Sequence, residues 1–266
     1  MNEKENILIL TPVKNAAPFL DRYFELLCRL SWPRRQLSIA FLESDSADDT
    51  YQRLENEMPR LRQAFRAAHL FQRSWGFRIP PDQPRWAPEI QLRRREIIAR
   101  GRNYLLARAL DDEDRVLWLD VDLVDYPPDV IEKLLATGKD IVQPHCVNHE
   151  TGKTFDLNAW RDNGKRHMDD LRGEGELVRL HAVGGTMLLV RADLHREGLV
   201  FPPFLYGRRH PLIRDNNQMV RYRELGKLWR GEHTGEIETE GLGMMAHDMG
   251  YECWGMPNLE IRHVNL

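Results

Sequence analysis

Two aspartates, Asp120 and Asp122, end the apolar run Arg115-Val116-Leu117-Trp118-Leu119 and are separated by Val121. Read as one strand continuing to Val124, the stretch places both carboxylates on one face, because side chains alternate along a strand. Two poorly solvated carboxylates side by side repel, so a cation between them is expected. A divalent ion carrying a phosphate is the simplest candidate. The structural alternative is a strand-end carboxylate pair that caps backbone amides. His263, after an apolar strand near the C-terminus, could add a nitrogen of the kind manganese accepts. A lone terminal histidine is otherwise an exposed side chain.

Further positions carry weaker signals. Asp45 follows the apolar segment Leu37–Leu42 and could accept hydrogen bonds from a nucleoside base or ribose, or could instead close an Asx-turn. Pro12 and Asn15 follow the first strand and could border the same pocket. Arg100 and Arg102 open a helical pattern (Tyr104, Leu105, Leu106, Ala109, Leu110), and arginine forks suit a phosphorylated ligand. Most other arginines between Arg60 and Arg102 are equally well read as a solvated helix face. Gly184-Gly185-Thr186 allows close approach of a sugar or phosphate, or simply turns the chain into a buried strand. Glu238 and Glu240 open the last helix, where acidic side chains favour the dipole whatever else they do.

The elements that must position these residues read as α/β. A strand at Ile7–Leu10, a helix over residues 17–30, a strand at Leu37–Leu42 and a helix starting near Asp48–Thr50 give β-α-β-α. That order predicts a mostly parallel, Rossmann-like central sheet flanked by helices, with ligands at the carboxyl ends of the strands. Residues 71–88 read as a long loop, followed by a helix over 89–110. Helices over 129–135 and 238–249 and strands at 140–143, near 186–190 and before His263 complete the pattern. Residues 202–235 are irregular and basic, with 205–235 as an insertion or acceptor loop. One domain over 1–266 is expected.

Composition excludes several classes. A net charge of -3 argues against a nucleic-acid binder driven by bulk charge. No apolar run approaches the roughly 18–20 residues of a membrane span. Cys28, Cys146 and Cys253 form no zinc or disulfide pattern, which makes a reducing cytoplasm the expected location, with peripheral membrane association left open. The first turn lacks Gly-x-Gly-x-x-Gly and the Walker lysine loop, against a nicotinamide enzyme and a phosphate-loop ATPase.

Taken together and in order, Leu8–Ala17, Tyr23–Leu27, Phe41–Thr50, Ala99–Asn103, Val116–Asp122, Val183–Thr186, Phe201–Pro203 and Glu238–Gly241 resemble the Anp1/Mnn9/Van1 mannosyltransferases of the fungal Golgi. The resemblance implies a GT-A glycosyltransferase fold, a GDP-mannose donor, manganese or magnesium, and transfer with retention onto a glycan, glycolipid or other hydroxyl acceptor. By position it makes Asp120, Asp122 and His263 metal ligands, with Asp120 also toward the donor. It sets Pro12 and Asp45 beside the nucleoside, and Arg100 and Asn103 near the ribose or diphosphate. Gly184, Gly185 and Glu240 would border sugar and acceptor. The fungal members carry an N-terminal membrane anchor, and this chain is expected to lack it. Were the reaction inverting, Glu238 or Glu240 would be the general base. The alternatives are an inverting family-2-like transferase using a UDP-sugar, a nucleotidyltransferase, and a non-catalytic carbohydrate-binding subunit. No nucleic-acid partner is expected, and association into a homo-oligomer is left open.

Overall fold

The computed structural model describes residues 5–79, 83–84, 87–207 and 235–265. Its first strands are continuous apolar runs because both of their faces are covered. In β1 (Ile7–Val13), Ile7 and Ile9 face one hydrophobic core while Leu8 and Leu10 face the other. Amphipathic α1 (Leu20–Arg29) covers the first face with Leu20, Tyr23, Phe24 and Leu27. After β2 (Leu37–Glu43), α2 (Thr50–Ala64) adds Leu54, Met58 and Leu61 to that same core. On the second face α3 (Pro88–Ala109) contributes Ala99, Leu105, Leu106 and Ala109.

The chain continues through β3 (Ala67–Gln72), then, after α3, β4 (Arg115–Leu119), β5 (Leu123–Asp125), α4 (Val130–Ala136) and β6 (Ile141–Asn148). A small hairpin, β7 (Trp160–Arg161) and β8 (Arg166–His167), precedes α5 (Met168–Leu171), β9 (Val178–Leu180), β10 (Met187–Arg191) and α6 (Ala192–Arg196). The last elements are α7 (Glu238–Asp248) and β11 (Cys253–His263). The main sheet runs β3-β2-β1-β4-β10-β6-β11-β5, with β9 also on β11. β1 to β4 are mutually parallel, and β6 and β11 share their direction. β10, β5 and β9 run against them. The expected mostly parallel α/β sheet is therefore present, with an antiparallel strand wedged into its middle.

Two expectations change, and a third lies mostly outside the described residues. The strand expected over 115–124 is two strands: β4 stops at Leu119, Asp120–Asp122 forms a turn, and β5 joins the far edge of the sheet against β11. The turn forms because Asp120 N–H donates to Thr186 O (2.9 Å) and Asp122 O accepts Val264 N–H (3.2 Å), tying the aspartates to different strand ends. The loop expected over 71–88 begins two residues later, since Phe71 and Gln72 belong to edge strand β3. Of the proposed insertion at 205–235, residues 208–234 lie outside the described residues. Among the described residues, no helix is long and apolar enough to cross a membrane.

Candidate active site

Because β1, β2 and β4 are parallel, their carboxyl ends deliver Asn15, Asp45 and Asp120 to one edge of the sheet. At the β1–β2 end both turn residues sit at positive φ, Asn15 at 50° and Asp45 at 55°. Asn and Asp are the non-glycine types that tolerate this conformation best. Their side chains then serve the backbone. Ala47 N–H donates to Asn15 Oδ1 (2.7 Å), and Asn15 N–H donates to Ser46 Oγ (3.0 Å). Asp45 accepts from Ser74 Oγ (2.5 Å) and from the N–H groups of Trp75 (2.8 Å) and Gly76 (3.3 Å). Burial works against its charged form, but these donors outweigh that and hold the carboxyl below the usual carboxylate range. Lys14 Nζ donates to Phe77 O (2.7 Å), closing the same loop over the strand ends. Pro12 does not follow the first strand as expected but is its half-buried penultimate residue, in register with Leu42 of β2.

The β4 end is organised differently. Arg95 and Arg102 lie seven residues apart on α3, hence on one face, and both reach Glu238 at the start of α7. Arg102 Nε donates to Glu238 Oε1 (3.0 Å), while its Nη2 lies 3.4 Å from both Asp120 Oδ1 and Gly185 O. Its guanidinium carbon is 5.3 Å from the ring centroids of Trp118 and Phe201, which shield it from water. Arg102 Nη1 is buried and has no hydrogen-bond partner among the described residues. Arg95 Nη1 donates to Glu240 Oε2 (2.5 Å), whose other oxygen accepts from Trp160 Nε1 (2.5 Å). Glu238 sits at φ 59°, a conformation that its two arginines pay for. Burial alone would raise its pKa, but Arg102 and Arg95 outweigh it and hold the carboxyl low.

Asp120 is strongly perturbed. Its carboxyl is pushed up to about 7, first by burial, against the pull of Arg102, and with further repulsion from Asp122 and Asp156. His263 Nε2 lies 2.9 Å from Asp122 Oδ1. Burial opposes its protonation, but the Asp122 contact prevails and raises its pKa. His263 Nδ1 lies 2.7 Å from Val264 O, a partner that can only accept, so Nδ1 carries a proton and Nε2 is the ring nitrogen turned toward Asp122. Two carboxylates and an imidazole nitrogen so oriented are a donor set suited to a manganese-type ion. The residues therefore fit the metal. They are not assembled as a finished cluster, however. Among the described residues no three His, Cys, Asp or Glu side chains already stand as a metal site, because Asp120 turns to Arg102 and Asp122 to His263.

Several expected site residues have other duties. Arg100 points outward, 45% exposed, and pairs with Glu96 one helical turn back (2.5 Å). The inward place belongs to Arg102, two residues further round the helix. Asn103 clasps the backbone of Phe201, donating to its O (2.7 Å) and accepting from its N–H (2.9 Å), which pins α3 to the chain before Pro202. Gly184 and Gly185 do leave room for close approach, but protein groups fill it. A Cβ on Gly184 would lie 2.0 Å from Asp156 Oδ2, and one on Gly185 2.5 Å from Arg102 Nη2. Glu238 and Glu240 are engaged by Arg95, Arg102 and Trp160. Gln143 accepts the Gly184 N–H (2.7 Å), and neither it, Asp156 nor Arg95 stands out in the sequence. The seven-residue spacing of Arg95 and Arg102 was the available signal for the last.

Comparison with known proteins now bears on this geometry. The sequence profile of the Anp1 family matches residues 1–174 and 164–205. The chain belongs to the Anp1 family. It is 26% identical to the mannan polymerase complex subunit MNN9 of Candida albicans, over the whole of this chain and 76% of that protein. With the mannan polymerase I complex VAN1 subunit of Saccharomyces cerevisiae it shares 25% identity over 99% of this chain and 61% of the relative. Among solved structures it resembles mannosyltransferase PcManGT from Pyrobaculum calidifontis in complex with GDP-Man and Mn2+ (TM-score 0.57, 13% identity, 98% of this chain and 57% of that one). It also resembles GalNAc-T7 with UDP, GalNAc and Mn2+ (TM-score 0.56, 14% identity, 100% of this chain and 45% of that one). The fold is that of the GT-A glycosyltransferases. The chain thus spans only about half the length of these solved neighbours and about 60–75% of the two curated relatives.

Proposed function

We propose that this Anp1-family protein is a metal-dependent glycosyltransferase that moves mannose from GDP-mannose onto a hydroxyl acceptor with retention of configuration. One observation carries the reading: Asp120, its side chain 31% exposed, converges with Asp122, His263 and Arg102 at the carboxyl end of the parallel strands, and its carboxyl is pushed up to about 7. Such a site is destabilised as it stands and gains by binding a cation together with an anionic diphosphate. Asp120, Asp122 and His263 would hold manganese, which when bound stabilises negative charge on a departing diphosphate.

The chain's own groups do the rest. Arg102 presents the buried, unpartnered Nη1 to an anionic oxygen, in a water-poor setting where that hydrogen bond is strong. The turn at Asn15 and Asp45 shapes the nucleoside end. Glu238 and Glu240 are both tied up in ion pairs with arginines, and Glu238 is held low by them, which suits the two to positioning Arg95 and Arg102 rather than to acting as a free base. That favours retention over an inverting route, since the inverting route needs one of them as base. In retention the acceptor hydroxyl attacks from the leaving-group face, and its proton passes to the diphosphate oxygen.

The relatives are named as subunits of mannan polymerase complexes, which supports a glycan acceptor and work within an assembly. A donor screen with Mn2+ tests the reading. Turnover of GDP-mannose above UDP-sugars is expected; preference for a UDP-sugar would overturn the donor assignment. Absence of turnover from any donor would favour a non-catalytic subunit.

A further inference from the structure

Beyond β6 the chain doubles back in a tight hairpin. Asn148 Oδ1 accepts the N–H groups of Glu150 (3.0 Å) and Thr151 (2.9 Å), and Val147 pairs antiparallel with Thr154. Phe155 N–H then donates to Cys146 O (2.9 Å). Thr154 is fixed further by Asp169, which accepts from both its N–H (2.8 Å) and its hydroxyl (2.6 Å). Neither Phe155 nor Asp156, which follow on this rigid return, has a part in the chemistry above.

The Phe155 ring lies flat on the His263 imidazole, with centroids 3.7 Å apart and planes 13° from parallel. His263 is 2% exposed, so the stack closes the face it covers and leaves the imidazole little freedom to tilt. With Nδ1 held at Val264 O, the ring plane set by Phe155 decides where Nε2 points. Asp156, the next residue, serves the other aspartate. Its Oδ2 accepts from Gly185 N–H (3.0 Å), Thr186 N–H (3.3 Å) and Thr186 Oγ1 (2.9 Å), and its Oδ1 accepts from Asn158 N–H (3.1 Å). Four donors saturate a carboxylate that is only 8% exposed. The Thr186 carbonyl, in turn, accepts the Asp120 N–H (2.9 Å).

We propose that Phe155 and Asp156 are paired positioning residues that keep the two ends of the metal site in register. Phe155 orients His263, and Asp156 anchors Asp120 through Thr186. The proposal rests on the reading of Asp120, Asp122 and His263 as metal ligands. Gly184 is part of the same device, since no side chain fits between it and Asp156. Supporting groups behind metal ligands are worth about 10–100-fold in metal affinity.

The test is Mn2+ binding to the full chain in the presence of GDP, followed by the electron paramagnetic resonance signal of free Mn2+, with folding checked by circular dichroism. Phe155→Leu and Asp156→Asn should each weaken Mn2+ binding by about tenfold. Phe155→Tyr, which keeps the stacked ring, should bind within about twofold of the unaltered protein. Phe155→Met repeats the loss of the ring in a second background should the leucine variant not fold. Folded variants that bind Mn2+ like the unaltered protein would overturn the positioning role while leaving the metal reading intact. So would a tyrosine variant as weak as the leucine one. If the unaltered protein binds no Mn2+ with GDP, the metal reading itself falls, and the proposal with it.

Discussion

At the carboxyl ends of β1 and β2 the polar side chains are used up on the protein's own backbone, whereas at the ends of β4 and β11 they converge on one another. Asn15, Asp45 and Lys14 each hold a neighbouring loop, with ordinary distances and substantial exposure. Asp120, Asp122 and Asp156 crowd together, with Arg102 paired to the first and the His263 imidazole to the second. The first region is a shaped platform whose side chains brace the protein's own loops. The second holds an electrostatic demand that a ligand relieves. Both use the same strand edge, so parallel topology brings residues to the site, and their local partners decide which of them act.

Substitutions should separate the two regions by size of effect. Asp122→Asn should lower kcat/KM by on the order of 10³-fold, because several kcal/mol of transition-state stabilisation depend on the metal. Transfer at full rate in that variant would place the chemistry elsewhere. Arg102→Met removes one partner of a buried charged network, so urea unfolding should show a loss on the order of 3 kcal/mol. Turnover should also fall by about 100-fold if the variant folds. Arg100→Ala, by contrast, breaks an ion pair whose arginine is exposed and should change stability by less than about 1 kcal/mol. Equal effects from the two arginines would erase the distinction drawn between them.

At the other region, Asp45→Ala loosens the loop over Ser74–Gly76 and should cost about 1 kcal/mol in stability. It should raise the KM for donor several-fold while sparing kcat. A pH slope should accompany these effects. Asp120 has a folded-state pKa raised to about 7, so the folded protein holds a proton that the unfolded chain releases near pH 4. Stability of the metal-free protein from this source is present below about pH 4 and lost as pH rises through about 7, at under about 1.4 kcal/mol per pH unit. The raised pKa of His263 acts in the same direction. Urea titrations across this range should show a shallower slope in Asp120→Asn.

The strands that are apolar on both faces, β1, β2 and β10, and the amphipathic α1 were legible from sequence because burial imposes their pattern. Edge strand β3 was not, since only Ala68 of its six residues is buried and no period survives. The break between β4 and β5 was hidden because Val121 and Leu123 in and after the turn are as buried as the strand before it. At the site, the aspartates and His263 could be named from their residue types and positions, and the resemblance made them ligands of one metal. The partners that tune them could not, because Arg102 meets Glu238 across 136 residues and Asp156 meets Thr186 across 30. Choosing Arg102 over Arg100 required knowing which face of α3 looks inward.

The most direct measurement is the thermal unfolding of the full chain with Mn2+ and either GDP or UDP, compared with Asp122→Asn. GDP with Mn2+ should raise the melting temperature, through ligand binding to the folded state alone. UDP should raise it less, and the variant should lose the Mn2+-dependent part of the shift. A rise with GDP that is the same in Asp122→Asn, or no dependence on Mn2+, would contradict the claim that these carboxylates hold a metal-bound nucleoside diphosphate.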